Sequence, residues 1–159
     1  MITAIYLWII SMLNWLFSQY CAWDDAKEIN LSVFIDHRKQ WITRAILAFC
    51  VTGIIANAAM VSWSVFGVSL IGVAFQFSII FRYDLNRRRK YDWWYISWSN
   101  WYDSVFITIA GWFIDNDSPD DPMETLEYTN RVTKLGGTIA YITEVLITIA
   151  AFVFAIKLG

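Results

Sequence analysis

Residues 45–81 read AILAFCVTGIIANAAMVSWSVFGVSLIGVAFQFSIIF and determine the fold, because these 37 consecutive residues contain no Asp, Glu, Lys, Arg or His. As one α-helix the stretch would extend about 55 Å at ~1.5 Å per residue. The hydrocarbon core of a bilayer is only ~30 Å thick, so a single span cannot hold it. We therefore predict two spanning helices, residues 41–59 and 64–81, joined by a tight reversal between them.

The composition supports an integral membrane protein. Hydrophobic residues make up 58% of the 159 residues and charged residues only 16%, whereas soluble domains carry ~25% charged residues. This length accommodates one helical bundle, so we predict a single transmembrane domain over residues 1–159. Cys21 and Cys50 lie in or beside apolar segments and predict no disulfide framework. We expect no metal, no cofactor and no nucleic-acid partner.

Two further apolar stretches extend the predicted bundle. Residues 2–23 and 136–157 are each long enough to cross a bilayer as a helix. Ser11, Asn14 and Ser18 recur at helical spacing in the first of them. Polar residues in membrane bundles usually face neighbouring helices, so we expect this stripe to point inward.

A segment rich in aromatic residues leaves the number of spans open. Residues 91–102 contain seven Trp and Tyr side chains, a composition typical of the membrane–water boundary. We favour one aromatic-rich spanning helix over residues 93–114, which gives five spans. The alternative is that residues 93–102 lie along the interface and a short helix follows, which gives four.

Charge along the chain predicts the orientation. Residues 82–92 carry five basic residues directly after a span, and cytoplasmic loops contain the excess of Lys and Arg. With five spans, this loop and residues 24–40 lie inside, the acidic loop of residues 115–135 lies outside, and the amino terminus is outside. Ten of the twelve Lys and Arg residues are then internal. Pro122 in the acidic loop is predicted to begin a helix.

The first candidate site is a polar cluster within the membrane, centred on Glu144 in the last span. A carboxylate at that depth costs at least ~2.5 kcal/mol, so it has to be paired, hydrated or protonated. Counting residues along five spans brings six polar side chains near the middle of the membrane. They are Glu144, Asp103, Asn57, Asn14, Gln76 and Asn100. The cluster is expected either to stabilise the bundle or to form a proton or cation path.

The second candidate site lies at the inner face, where basic side chains are expected to contact the phosphates of anionic lipids. Its members are His37, Arg44, Arg82, Asp84, Arg87, Arg88, Arg89, Lys90 and Asp92. A lipid-modifying enzyme would need metal ligands here, and the chain has one histidine and no metal-binding motif.

These patterns predict an all-α bundle that acts as an interaction, assembly or structural component of a membrane. The expected partners are the bilayer, anionic lipids at the inner face, and either a second copy or another membrane protein. The alternative is a proton or cation channel that uses Glu144 and Asp103. A lipid-headgroup-modifying enzyme at the inner face is a weaker alternative. The predicted location is the inner or plasma membrane of a prokaryote.

Overall fold

The structure is a computed structural model, and it describes the backbone of residues 1–30, 37–96, 101–114 and 122–159. Side chains are described for residues 1–29, 40–96, 102–114 and 125–159. All regular structure in these ranges is α-helical, which confirms the predicted fold class. The five helices are α1 (Ile2–Asn30), α2 (His37–Ala58), α3 (Trp63–Arg88), α4 (Trp101–Phe113) and α5 (Pro122–Leu158).

Four of these helices, α1, α2, α3 and α5, are long and apolar enough to cross a bilayer. Helix α4 has 13 residues and is about 20 Å long, which is too short for a ~30 Å hydrocarbon core. The predicted single helix over residues 93–114 is wrong, because residues 93–94 form a turn and residues 95–96 have no regular secondary structure. Within the described ranges, the number of long helices matches the four-span alternative.

Several helices continue beyond the predicted spans. Helix α1 extends to Asn30, α3 continues to Arg88, and α5 begins at Pro122 instead of residue 136. Residues 82–88 and 122–135 are therefore helical, although they were predicted as loops. The predicted helix start at Pro122 is confirmed, and it places proline where a helix needs no backbone N–H donor.

The turn after α2 and the end of α3 have the same geometry without glycine. Met60 and Lys90 adopt left-handed φ angles of 52° and 59°. The next residue in each case donates its N–H to a carbonyl five residues back, at 3.1 Å for Val61 and 2.9 Å for Tyr91. This is the Schellman ending of a helix. The tight reversal predicted after residue 59 therefore forms with methionine in the position that usually holds glycine.

Helices α1 and α3 run parallel, with α2 antiparallel to both. Tyr6 Oη lies 2.7 Å from Ser69 Oγ, and Asn14 Nδ2 lies 3.0 Å from Gln76 Oε1. Residue numbers therefore increase in the same direction along α1 and α3. In α2 the order is reversed, because Phe49 packs on Phe66 and Trp41 packs on Phe81. The predicted inward direction of the Ser11–Asn14–Ser18 stripe agrees with this contact between α1 and α3.

Helix α5 runs antiparallel to α3. Phe152 lies against Gly72, and Glu144 accepts a hydrogen bond from Ser78. The amino-terminal half of α5 is therefore at the end of the bundle where α3 finishes. Residues 82–92 and 115–135 were predicted at opposite ends of the bundle. The helix directions instead place the first part of α5, residues 122–135, at the end where α3 finishes. Residues 115–121 of the predicted acidic loop lie outside the described residues.

The bundle has two distinct ends. At the first, which we name the terminal end, Gly159 lies against Thr3. Val61 of the α2–α3 turn packs on the apolar core that contains Tyr6 and Ala155. The other, the charged end, holds Arg44 and Arg82 with their acidic partners. An apolar core joins α1, α2, α3 and α5 towards the terminal end.

Beyond the charged end, α4 packs antiparallel on the first half of α5. Phe106 and Ile107 lie against Gly136, while Tyr102 lies near Glu144. We name this pair, residues 101–113 with 122–137, the α4–α5 hairpin. It has its own apolar core, in which Ile107 and Val132 are nearly inaccessible. Counted from Arg82, α5 extends roughly 20 Å farther than α3 does at ~1.5 Å per residue.

Gly137 allows the connection before α4 to approach α5 closely. A Cβ atom at this position would lie 1.8 Å from the carbonyl oxygen of Trp94. Asn86 fixes the same connection from α3, since its Nδ2 donates to the carbonyl oxygen of Tyr95 at 2.8 Å. Glycine is thus required at residue 137 for the hairpin to pack on the bundle.

We expect Gly137→Ala to destabilise the protein by about 1–3 kcal/mol, because the added methyl group forces backbone away from backbone. Gly111→Ala is the matched control, since nothing lies within 4 Å of a Cβ atom there, and alanine is the better helix former. Thermal unfolding in detergent measures both. Equal midpoints for the two variants would contradict the close packing at Gly137.

Candidate functional site

The candidate site is a group of buried charges at the charged end, between the two apolar cores. Glu144 of α5 has 0% of its surface exposed. Its carboxylate accepts hydrogen bonds from Ser78 Oγ at 2.8 Å, from Arg82 Nη1 and Nη2 at 3.3 and 3.2 Å, and from Tyr102 Oη at 2.9 Å. Two helices, α3 and α4, thus contribute donors to a carboxylate of the third, α5.

Arg82 also binds a second carboxylate. Its Nη2 donates to Asp103 Oδ1 at 3.2 Å, and the Asp103 side chain is 9% exposed. The guanidinium carbon lies 5.4 Å from the centre of the Tyr141 ring and 6.0 Å from that of Tyr102. Aromatic faces attract a cation at such distances. One guanidinium therefore connects α3 to both helices of the hairpin.

Tyr102 remains a hydrogen-bond donor in this environment. Burial raises the pKa of its phenol above the ordinary value, and the negative charge of Glu144 raises it further. Both effects disfavour the phenolate. The hydroxyl therefore stays protonated at neutral pH and donates to Glu144.

The sequence places these groups together through helix spacing. Ser78 and Arg82 are four residues apart in α3, so both lie on the face that meets α5. Asp103 lies in the first turn of α4, beside the segment that Gly137 and Asn86 hold in place. The small residues Gly136 and Ala140 of α5 are buried on the side of Glu144 and allow α4 to approach.

The structure divides the predicted intramembrane cluster. Glu144 and Asp103 do come together, at the charged end and through Arg82, which was predicted at the inner face. Asn57 is exposed near the end of α2, by the turn at the terminal end. Counted along the helices, it is about 25 Å from the level of Glu144. Asn100 lies outside the described residues.

Asn14 and Gln76 form a separate polar contact between α1 and α3. Asn14 Nδ2 donates to Gln76 Oε1 and to the carbonyl of Val73, each at 3.0 Å. Gln76 Nε2 donates to Ser11 Oγ at 2.7 Å. These bonds hold α1 on α3, and no hydrogen bond described here connects them to Glu144.

The predicted inner-face set is partly paired. Arg44 forms a bidentate ion pair with Asp25 of α1, including a 3.1 Å contact from Nη1 to Oδ2. Arg88 pairs with buried Asp84 at 2.6 Å along α3. The first contact holds α2 on α1, and the second lies within the last turns of α3. Neither arginine is therefore a free cation.

The remaining members of that set reach the surface or are not described. Arg87, Lys90 and Asp92 are exposed. Arg89 packs its guanidinium 4.5 Å from the Tyr91 ring. The backbone of His37 begins α2, but its side chain lies outside the described residues.

Ser78, Tyr102 and Asp25 were not predicted as site residues. The sequence shows that Ser78 and Arg82 lie on one face of α3. It does not show that this face meets Glu144, because that contact depends on α5 being antiparallel to α3. Asp25 was assigned to a loop, whereas α1 continues through it. A carboxylate one turn beyond the apolar part of α1 was the available signal.

The arrangement is suited to holding helices together, because Arg82 pairs with carboxylates from two other helices. Among the described residues, no group of three His, Cys, Asp or Glu could hold a metal. The sequence matches no known protein family, and no curated protein or solved structure is detectably similar to it. The fold and site define an all-α protein with four candidate membrane spans.

Replacing Arg82 is expected to cost more stability than replacing either carboxylate. Arg82→Gln leaves two buried carboxylates without their cation, and breaking a buried ion pair in this way costs about 3–5 kcal/mol. Glu144→Gln keeps a neutral acceptor next to Ser78 and Tyr102, so we expect a smaller loss. Detergent unfolding curves give both values, with exposed Arg87→Gln as control. A loss for Arg82→Gln no greater than that of the control would contradict the structural role.

Proposed function

We propose that the protein is an interaction or assembly component of a membrane, in which four spanning helices present the α4–α5 hairpin to a partner protein. The observation that carries this proposal is the length of α5 together with the packing of α4 on its first half. The bundle anchors the hairpin, and the Arg82 ion pairs hold it in one orientation.

The depth of the hairpin follows from the length of α5. This helix has 37 residues and is about 55 Å long, whereas ~20 residues are enough to cross the hydrocarbon core. Its carboxyl end lies at the terminal end with Thr3. The last 20 residues therefore cross the membrane, and the first 17 residues of α5, roughly 25 Å, extend beyond the hydrocarbon core.

Charge supports an orientation with the hairpin in the cytoplasm. All Lys and Arg residues except Lys157 belong to the charged end or the hairpin, which is eleven of twelve. Cytoplasmic segments carry this excess of basic residues. Both chain ends are then on the outer side, and the protein belongs in an inner or plasma membrane of a prokaryote.

The far end of the hairpin offers an apolar docking surface. Trp112 and Phe113 are 76% and 74% exposed at the end of α4. They lie about 15 Å past the level of Arg82 along the helix, which is beyond the reach of lipid tails. Exposed aromatic residues outside the bilayer mark protein contacts. The expected partner is a protein with an apolar pocket near the membrane surface.

Anionic lipids are the second proposed partner. Arg87, Lys90 and Lys134 are exposed, and no ion pair among the described residues involves them. Arg87 is about 8 Å beyond Arg82 along α3, at the depth of lipid phosphates. Each basic residue at this depth contributes ~1 kcal/mol of attraction to an anionic surface.

A proton or cation path through Glu144 and Asp103 is the competing function. Its support is the fully buried carboxylate of Glu144, because carboxylates in spanning helices often belong to such paths. Against it, Arg82 occupies both carboxylates. Asn57, which the path would need, is at the opposite end of α2.

Photocrosslinking tests the docking surface. With p-benzoylphenylalanine at position 112, native membranes should give one discrete protein adduct after irradiation, because the hairpin end contacts a partner. Phe113→Ser should abolish this adduct, and excess purified wild-type protein should compete for it. The same probe at Ile54, which is 70% exposed on α2, should give only lipid adducts.

Two results would overturn the proposal. The first is a probe at position 112 that labels lipid alone, as at Ile54, which would mean that the hairpin end contacts the bilayer. The second is a protein adduct that persists unchanged in Phe113→Ser and resists competition, which would mean that the labelling is not specific to this surface.

The competing function has its own measurement. We expect purified protein in liposomes to conduct no protons or monovalent cations above the level of empty liposomes, because the carboxylates are occupied by Arg82. A flux that disappears in Glu144→Gln and remains in Arg87→Gln would instead establish transport.

A further inference from the structure

The cluster around Arg82 contains two carboxylates and one guanidinium. Glu144 Oε1 and Asp103 Oδ1 both lie 3.2 Å from the same nitrogen, Arg82 Nη2. The Glu144 side chain is inaccessible, and those of Asp103 and Arg82 are 9% and 11% exposed. Two carboxylates that share a buried site disfavour each other's ionisation, so one of them takes up a proton.

The elements packed around the two carboxylates add no second positive charge in the part of the chain that the structure describes. The ion pairs of Asp103 and Glu144 both involve Arg82, and residues 91–102, which lead to Asp103, contain no Lys, Arg or His. The other titratable side chains at the cluster are tyrosines, which are uncharged at neutral pH. They are Tyr83 of α3, Tyr102 of α4 and Tyr141 of α5. The cluster therefore has one negative charge in excess when both carboxylates are ionised.

Glu144 is the carboxylate that remains ionised. Four hydrogen bonds reach it, two from Arg82 and one each from Ser78 and Tyr102, and such donors favour the charged form. Asp103 lies at the accessible edge of the cluster, where water can exchange a proton with it. The positive end of the α4 dipole favours ionised Asp103, but this effect is smaller than the cost of an excess buried charge. The proton therefore resides on Asp103.

We propose that Asp103 and Glu144 together hold one proton at neutral pH, and that its loss at alkaline pH detaches the first turn of α4 from Arg82. The proton leaves the carboxyl group of Asp103 to water, and two ionised carboxylates then remain beside one guanidinium. Asp103 is the one that can move into water, because Glu144 is fixed within a spanning helix. Since α4 carries Trp112 and Phe113, the position of the proposed docking surface then follows the pH on the charged side.

The direction of the pH dependence follows from counting protons. The folded protein binds one proton more than the unfolded chain, in which aspartate is ionised above pH ~4. Stability therefore falls as the pH rises. The contribution of this proton is complete below pH ~4 and is lost as the pH rises through the value at which the cluster releases it.

Unfolding by denaturant in detergent, measured from about pH 6 to 9, tests the shared proton. We expect the unfolding equilibrium constant of wild-type protein to rise by up to about tenfold per pH unit while the proton is held. Asp103→Asn and Glu144→Gln each leave one carboxylate for one guanidinium, so either change should remove this rise. Asp84→Asn is the matched control and should keep it, because Asp84 forms a one-to-one pair with Arg88.

Infrared spectroscopy identifies the proton directly. Folded wild-type protein at neutral pH should show the C=O stretching band of a protonated carboxylic acid. This band should be absent from Asp103→Asn and present in Asp84→Asn. Wild-type protein without the band, or with the same pH dependence of unfolding as Asp103→Asn, would overturn the proposal.

Detachment of α4 is measured as a distance. Spin labels at Arg87 and Val105, in protein with Cys21 and Cys50 replaced by alanine, report the separation of α3 and α4. We expect this distance to lengthen at alkaline pH in otherwise wild-type protein and to stay constant in Asp103→Asn. An unchanged distance in both would overturn the detachment. These measurements use purified protein without a partner, so their failure is distinguishable from failure of the docking proposal.

Discussion

The structure depends on how one buried guanidinium is neutralised. Arg82 is at the point where the apolar part of α3 ends, and it binds Glu144 of α5 and Asp103 of α4. Isolated charges in this environment are very unfavourable, so the three side chains have to remain together. Because each comes from a different helix, their contact fixes the hairpin on the bundle. The apolar cores on either side are separate, and this charged layer joins them.

The fold class and most spans could be predicted from the sequence, because 20 consecutive apolar residues have few structural alternatives. The direction of α5 could not be predicted. It depends on whether residues 93–114 cross the membrane, and their aromatic composition fits both a span and an interfacial segment. A span over residues 93–114 would make α5 parallel to α3, whereas the two helices are antiparallel.

Only part of the candidate site was predictable, because its contacts depend on the direction of α5. Glu144 was identifiable because a carboxylate in an apolar helix needs a partner. Its partner was not, because Arg82 follows an apolar run and resembles the start of a basic loop. Five spans would place Asn57 at about the same depth as Glu144. With α5 antiparallel to α3, the same residues are at opposite ends of the bundle.

The central claim is that the hairpin and the end of α3 are on one side of the membrane. Single cysteines at Arg87, Asn130 and Met60, in protein with Cys21 and Cys50 replaced by alanine, can be labelled with a membrane-impermeant thiol reagent in sealed vesicles. We expect positions 87 and 130 to react from the same side and position 60, which is 92% exposed at the α2–α3 turn, from the other. Labelling of position 130 together with position 60 would contradict the claim, because α4 would then have to cross the membrane.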